Sequence, residues 1–122
     1  MSQSERFVLK FAEIGSADIA RVGGKNASLG EMYSALASRG VPVPNGFAVT
    51  TAAYRHMVKT AGIEPLLREA LAGLDVDSAT AVEDAAGRCR ALVYEAGMAD
   101  AVREQVLAAY ADLRAEYGTS LT

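Results

Sequence analysis

The stretch Val22-Gly-Gly-Lys-Asn-Ala-Ser-Leu-Gly-Glu-Met32 carries the most informative local pattern in the chain. Within it, Gly23-Gly24-Lys25-Asn26 lies where a loop becomes the first long predicted helix. Consecutive glycines permit positive φ angles and let backbone N–H groups approach an anion closely. The free N–H groups and partial positive charge of a helix N-terminus favour a phosphate, and Lys25 would add a full charge. We therefore predict a phosphate-binding turn at these four residues.

The local pattern leaves one alternative open. Gly-Gly-Lys occurs often by chance, and the Lys-Ser/Thr ending of the P-loop is absent from this sequence. The same residues also fit a flexible loop whose lysine is solvated.

Five helices are predicted from apolar residues that recur at helical spacing, each segment being closed by a glycine. The first runs from about Asn26 to Arg39. Its predicted buried face consists of Leu29, Met32, Tyr33, Leu36 and Ala37. The other four are expected to end before Gly62, Gly73, Gly97 and Gly118. Their expected starts are Thr51 for the second, the turn around Pro65 for the third, a Thr80-Ala-Val-Glu83 capping box for the fourth and an Asp100 N-cap for the fifth.

Two short segments are predicted to be extended, Phe7 to Phe11 and Val41 to Thr50, and within the second Phe47 to Thr50 is the better strand candidate. Two brief strands are too little for an independent sheet, so they either pair with each other or join strands outside this chain. Together these elements predict a mostly helical α+β fold with about five helices and two or three short strands. No linker or repeat divides the sequence, which suggests a single, partial domain over residues 1–122.

Composition excludes several classes of function. The 122 residues are 51% hydrophobic, enough for a real core, and the net charge of -3 comes without a basic stripe, so nucleic acid is not an expected partner. Cys89 is the only cysteine, which excludes an internal disulfide and suits a reducing compartment. No apolar run approaches the ~20 residues that span a bilayer, and we expect a cytoplasmic protein without membrane contact. The carboxylates fall on polar helix faces or caps, so no metal site is expected within the chain.

The longer pattern resembles a known family. Val22–Met32, followed by Pro42-Val-Pro-Asn-Gly-Phe-Ala-Val-Thr50 and then Ala53-Tyr54, is similar to the start of the ATP-binding domain of the phosphoenolpyruvate synthase and pyruvate phosphate dikinase family. The resemblance covers nearly the whole chain. It implies the N-terminal subdomain of an ATP-grasp-type nucleotide-binding fold, with ATP as the ligand.

The resemblance also implies roles for individual residues. Lys25 matches the lysine that reaches the ATP phosphates and is the candidate catalytic residue, while Gly23, Gly24 and Asn26 complete the candidate cofactor-binding turn. Mg²⁺ would act in the intact enzyme. The phosphohistidine of such enzymes lies in a separate domain, so His56, which sits on an ordinary amphipathic helix, is expected to be a solvated surface residue.

The implied reaction is the conversion of ATP, pyruvate and water to phosphoenolpyruvate, AMP and phosphate. Pyruvate would be bound only by domains absent from this chain, which should be inactive alone. Two alternatives remain: part of a pyruvate phosphate dikinase or rifampicin-type phosphotransferase, or a stand-alone helical nucleotide-binding or interaction module. An unpaired strand edge would favour self-association in either case.

Overall fold

The computed structural model describes residues 6–118, which form a mostly helical chain with one small sheet. The strands are β1 (Val8–Lys10) and β2 (Phe47–Val49). The helices are α1 (Ile19–Val22), α2 (Gly24–Leu36), α3 (Thr51–Ala61), α4 (Glu64–Leu71), α5 (Ala79–Ala96) and α6 (Asp100–Tyr117). Short 3-10 turns cover Phe11–Glu13, Ser16–Asp18 and Ala37–Arg39. The predicted α+β, mostly helical class is confirmed, and α1 is a helix that the sequence did not predict.

The two strands pair antiparallel with each other, which is one of the two arrangements that the sequence predicts. Helix α6 lies along β1 and supplies partners for it. The side-chain oxygen of Gln105 accepts hydrogen bonds from the N–H groups of Phe7, at 2.8 Å, and Val8, at 3.2 Å. Lys10 Nζ pairs with Asp112 Oδ2 at 2.6 Å. A side chain from α6 thus satisfies backbone donors at the start of β1.

A core cluster joins the sheet to the first helices, and it consists of Leu9, Ile14, Val22, Ala27 and Ala48. The approach of α2 to this cluster is unusually close. A Cβ atom on Gly30 would lie 2.5 Å from Ile14 O and 2.6 Å from Ile14 Cβ. The buried face of α2 is therefore made of Ala27 and Gly30, and Met32 is 46% exposed. The predicted face was wrong at Met32, and its other members, Leu29, Tyr33, Leu36 and Ala37, are half-buried. Only small residues fit where the neighbouring loop approaches α2 most closely.

Most helix ends follow the predicted signals, with three corrections at the starts, the first being that α2 begins at Gly24 and not at about Asn26. Helix α2 passes into a 3-10 turn and ends at Gly40, whose φ is 79°. Helix α5 begins at Ala79 rather than at a Thr80 capping box, because Ser78 Oγ accepts the N–H of Ala81 at 3.2 Å. Helix α6 begins at Asp100 itself, one residue earlier than it would if Asp100 were the N-cap. These shifts change the helix caps and leave the order of the five predicted helices unchanged.

The chain forms two compact units. The first holds the residues up to Tyr54 and those from Asp100 onward, and it contains the sheet, α1, α2 and α6. The second holds Arg55–Ala99 and contains α4 and α5. In the second unit the guanidinium of Arg88 donates to Ala70 O at 3.3 Å, which ties α5 to the end of α4. The predicted phosphate turn lies entirely within the first unit.

The close contact at Gly30 generates a stability prediction with a matched control. Gly30→Ala should lower the free energy of unfolding by about 1–3 kcal/mol, because the added methyl overlaps Ile14. Gly87→Ala makes the same change inside α5, where the nearest atom to the new Cβ is 3.8 Å away. It should raise the free energy of unfolding by about 1 kcal/mol through helix propensity alone. Urea unfolding of both variants measures the difference, and a gain in stability for Gly30→Ala would contradict the packing described here.

Candidate phosphate-binding turn

The candidate site is a break between two helices at Gly23. Its φ of 85° and ψ of 163° end α1 at Val22 and start α2 at Gly24. The Gly23 N–H donates to Ile19 O at 2.7 Å, and the next backbone bond on the α2 side runs from Ala27 N–H to Gly23 O at 3.0 Å. The N–H groups of residues 24–26 therefore precede the first intrahelical bond of α2. Three consecutive donors lie at the positive end of a 13-residue helix.

Glycine is required at position 23 by conformation and not by space. A Cβ atom there would meet nothing within 4 Å, but the positive φ is one that L side chains rarely adopt. Gly24 differs, because its φ is not positive and a Cβ atom would again meet nothing within 4 Å. The fold itself thus gives a reason for glycine at position 23 and none at position 24.

Lys25 is an exposed residue in the first turn of α2. Within residues 6–118 the ion pairs join Arg6 to Glu13, Lys10 to Asp112, Arg21 to Asp18 and Arg68 to Glu64. None of these pairs uses the Lys25 ammonium group, so within the described part of the chain its charge is not neutralised by a carboxylate. An unneutralised lysine beside open backbone donors is the combination that an anion requires.

Asn26 is half-buried, and its side chain is turned back toward α1. Its Nδ2 donates to Val22 O at 2.9 Å. The side-chain amide is therefore engaged within the protein, and the group that Asn26 can offer to a ligand is its backbone N–H. The sequence grouped Asn26 with the binding residues and gave no indication of this side-chain bond.

Several other residues of the Val22–Met32 stretch pack the helices and the preceding loop around the turn. Val22 and Ala27 are buried, and Gly30 accommodates Ile14. The carboxylate of Glu31 accepts the N–H of Ser16 at 2.8 Å, which fastens the preceding loop to α2. The stretch thus divides into residues that pack the fold and residues that face solvent, and Gly23, Gly24 and Lys25 belong to the exposed group.

Asp18 supports the loop that enters α1, a role that the sequence analysis missed. Its Oδ2 accepts the N–H of Gly15 at 3.0 Å, and its Oδ1 pairs with the Arg21 guanidinium at 3.1 Å. The Gly15 hydrogen bond and then Arg21 hold the pKa of the Asp18 carboxyl below its usual range, although partial burial opposes them. A carboxylate that accepts the N–H of the residue three positions earlier is the N3 half of a capping-box arrangement, which is a local sequence signal for the start of a helical turn.

His56 and the acidic side chains are the other residues whose type could suggest chemistry. His56 is half-buried on α3, with its Nε2 3.4 Å from Thr60 Oγ1 one helical turn away. Among residues 6–118, no three or more His, Cys, Asp or Glu side chains are grouped so that they could hold a metal ion. In the same part of the chain, no helix combines the length and the apolar character needed to cross a bilayer.

Comparison with known families defines the class of protein that carries this turn. The family described as pyruvate phosphate dikinase, AMP/ATP-binding domain, matches residues 19–122. That range contains the helix break, Lys25 and all of the helices. The chain therefore belongs to this family, and the resemblance identified from the Val22–Met32 pattern is confirmed.

Comparison with individual relatives shows which members of the family the sequence resembles. The chain is 36% identical over 114 residues to phosphoenolpyruvate synthase from Synechocystis sp., which covers 93% of this chain. It is 40% identical over 107 residues, 88% of the chain, to phosphoenolpyruvate synthase from Pseudomonas aeruginosa. It is 36% identical over 113 residues, 93% of the chain, to phosphoenolpyruvate synthase from Escherichia coli. The chain spans 14% of the length of each of these three relatives.

The lowered pKa of Asp18 predicts a pH dependence of stability. A carboxyl with a lower pKa in the folded state than in the unfolded state stabilises the fold above its unfolded pKa. That contribution is lost as the pH falls through the folded value. Asp18→Asn removes the titrating group, so its free energy of unfolding should decline less than that of the unmodified chain from about pH 5 to about pH 2. Urea unfolding across this range measures both profiles, and parallel profiles would show that Asp18 contributes nothing to acid sensitivity.

Proposed function

We propose that the turn at Gly23, Gly24, Lys25 and Asn26 binds the phosphates of ATP. The observation that carries this proposal is the set of three backbone N–H donors at residues 24–26, left open by the break at Gly23 and accompanied by the unneutralised Lys25. The family's description as an AMP/ATP-binding domain supports the choice of ligand.

Helix dipole and lysine charge would act together on such a ligand. The start of α2 contributes roughly half a positive charge, and Lys25 contributes a full one close to the same point. Gly24 supports the proposal independently, through the absence of any reason within the chain for a glycine there. Neither conformation nor packing within the chain calls for glycine there, whereas a phosphate lying against the backbone would leave no room for a side chain.

In phosphoryl transfer, the role proposed for Lys25 is electrostatic. The ammonium group would stabilise negative charge on the polyphosphate as the phosphoryl group leaves, and it would not act as an acid or base. The backbone donors of residues 24–26 would orient the same oxygens. Neither group needs to change its protonation state during the reaction.

The reaction proposed for the whole protein is that of phosphoenolpyruvate synthase, which consumes ATP, pyruvate and water and yields phosphoenolpyruvate, AMP and phosphate. The names of the three relatives favour this acceptor over those of a dikinase or antibiotic phosphotransferase. Residues 1–122 would form part of an ATP-grasp-type domain in a cytoplasmic enzyme, and pyruvate would be bound by other domains. The chain alone would bind nucleotide without turnover.

Magnesium is proposed as a companion of ATP and not as a resident of this chain. The described residues present no grouped metal ligands, so they do not fit a dedicated Mg²⁺ site. Mg²⁺ usually keeps several waters and is bound in part by substrate phosphates. We propose that it reaches the turn as MgATP, with any protein ligands supplied by other parts of the enzyme.

Removing the Lys25 ammonium group should weaken nucleotide binding. Lys25→Ala is expected to raise the Kd for MgATP about tenfold or more, since hydrogen bonds to charged groups contribute about 1.5–3 kcal/mol. Lys59→Ala is the matched control, because Lys59 is also an exposed lysine on a helix but lies in the last turn of α3. Isothermal titration calorimetry on the 122-residue chain measures both. Equal affinities for the two variants, or no binding by the unmodified chain at millimolar MgATP, would contradict the proposal.

A further inference from the structure

Two backbone carbonyls at the end of α1 accept hydrogen bonds from side chains and not from backbone N–H groups. In one continuous helix through residues 19–36, the carbonyls of Ala20 and Val22 would accept the backbone N–H groups of Gly24 and Asn26. Here both carbonyls have side-chain donors instead. Thr51 Oγ1, from the first turn of α3, donates to Ala20 O at 3.1 Å, and Asn26 Nδ2 donates to Val22 O at 2.9 Å.

These two bonds occupy acceptors that would otherwise compete for the amides of the candidate turn. Val22 is buried, so leaving its carbonyl without a partner would be costly, whereas Ala20 is exposed and the Thr51 hydroxyl competes there with water. Without the two side chains, the nearest backbone donors to these carbonyls would be the N–H groups of residues 24 and 26. The helices would then fuse, and the amides would be consumed inside a continuous ladder.

Of the two residues, Asn26 gives the stronger evidence that a side chain replaces a backbone donor. Its side-chain amide bonds the same carbonyl, Val22 O, that its own backbone N–H would bond in a continuous helix. The side chain thereby replaces the backbone donor and leaves it directed along the axis at the start of α2. Replacing Asn26 with alanine removes the competing side-chain donor. It also favours a fused helix because alanine is a better helix former than asparagine.

We propose that Asn26 and Thr51 are positioning residues that keep the amides of Asn26 and Gly24 open by occupying the carbonyls of Val22 and Ala20, and that the Lys25 amide stays open because its own acceptor, Arg21 O, belongs to the same interrupted ladder. This inference rests on the proposed function for its consequence, ATP binding, but the state of the three amides is a property of the free chain. Neither side chain needs to touch the nucleotide. Their effect on binding passes through the backbone of residues 24–26.

The first arm of the test reads the amides without any ligand. Hydrogen exchange and amide temperature coefficients from NMR are recorded for the unmodified chain, Asn26→Ala, Thr51→Val and Thr51→Ser. Exchange at residues 24–26 should slow about tenfold or more in Asn26→Ala and should slow in Thr51→Val at Gly24 above all. Thr51→Ser keeps the hydroxyl and should match the unmodified chain. Gly23→Ala, which disfavours the positive φ, is the positive control for a fused helix.

The second arm measures MgATP affinity of the same proteins by calorimetry. Asn26→Ala and Thr51→Val should bind about tenfold or more weakly with no loss of thermal stability, while Thr51→Ser binds normally. Ser28→Ala is the matched control for Asn26→Ala, because Ser28 is an exposed residue two positions further along α2. It should leave both exchange and affinity unchanged.

The two arms separate failure of this inference from failure of the proposed function. Amides 24–26 that exchange within twofold of the unmodified chain in both Asn26→Ala and Thr51→Val would overturn the positioning roles, whatever the affinity. Amides that become protected while MgATP affinity stays constant would support the positioning roles and overturn the assignment of ATP phosphates to this turn.

Discussion

The backbone at Gly23 is the constraint on which the candidate site depends. With φ at 85° and ψ at 163°, the chain leaves helical geometry for one residue and resumes it at once in α2. That single residue separates two helices that would otherwise share one hydrogen-bond ladder. Its consequences extend in both directions, because α1 is left with carbonyls that need donors and α2 with donors that need acceptors. The side chains of Thr51 and Asn26 donate to the carbonyls of α1, and the N–H groups at the start of α2 face solvent beside Lys25.

The glycines of the Val22–Met32 stretch serve different physical ends, although they look alike in the sequence. Gly23 is needed for its backbone conformation, and Gly30 for the space that Ile14 occupies. Neither backbone conformation nor packing within the chain requires a glycine at position 24, so we attribute this glycine to a contact with something outside the chain. Glu31 completes the arrangement by holding the loop at Ser16 against α2. Glycines within one short stretch of sequence can therefore answer to different physical requirements, namely a backbone conformation at Gly23 and a close packing contact at Gly30.

Much of the fold was predictable, because its helix ends carry local signals. Gly40 and Gly97 end their helices with positive φ, as their positions after apolar stripes predicted. What escaped prediction depends on tertiary contacts. Helix α1 is only four residues long, too short for periodicity to register. The buried face of α2 was misjudged because large residues were assumed to pack inward, whereas the approach of Ile14 selects Ala27 and Gly30.

The same distinction applies to the candidate site. Gly23, Gly24 and Lys25 were identifiable from residue type and placement at a helix start, and the structure shows them exposed there. The side-chain roles of Asn26 and Thr51 were not identifiable. The hydrogen bond from Thr51 joins residues 31 positions apart, and no local pattern encodes such a contact. The hydrogen bond from Asn26 is local, but it becomes informative only once the helix break at Gly23 is known.

The most direct test of the central claim is a ¹H–¹⁵N NMR titration of the unmodified chain with MgATP and, separately, with inorganic tripolyphosphate. If the break at Gly23 creates a phosphate site, both ligands will shift the amide signals of Gly24, Lys25 and Asn26 more than any others. Shared shifts would assign the contact to the phosphates and not to the base. Shifts centred elsewhere, or a folded spectrum that neither ligand changes, would contradict the account.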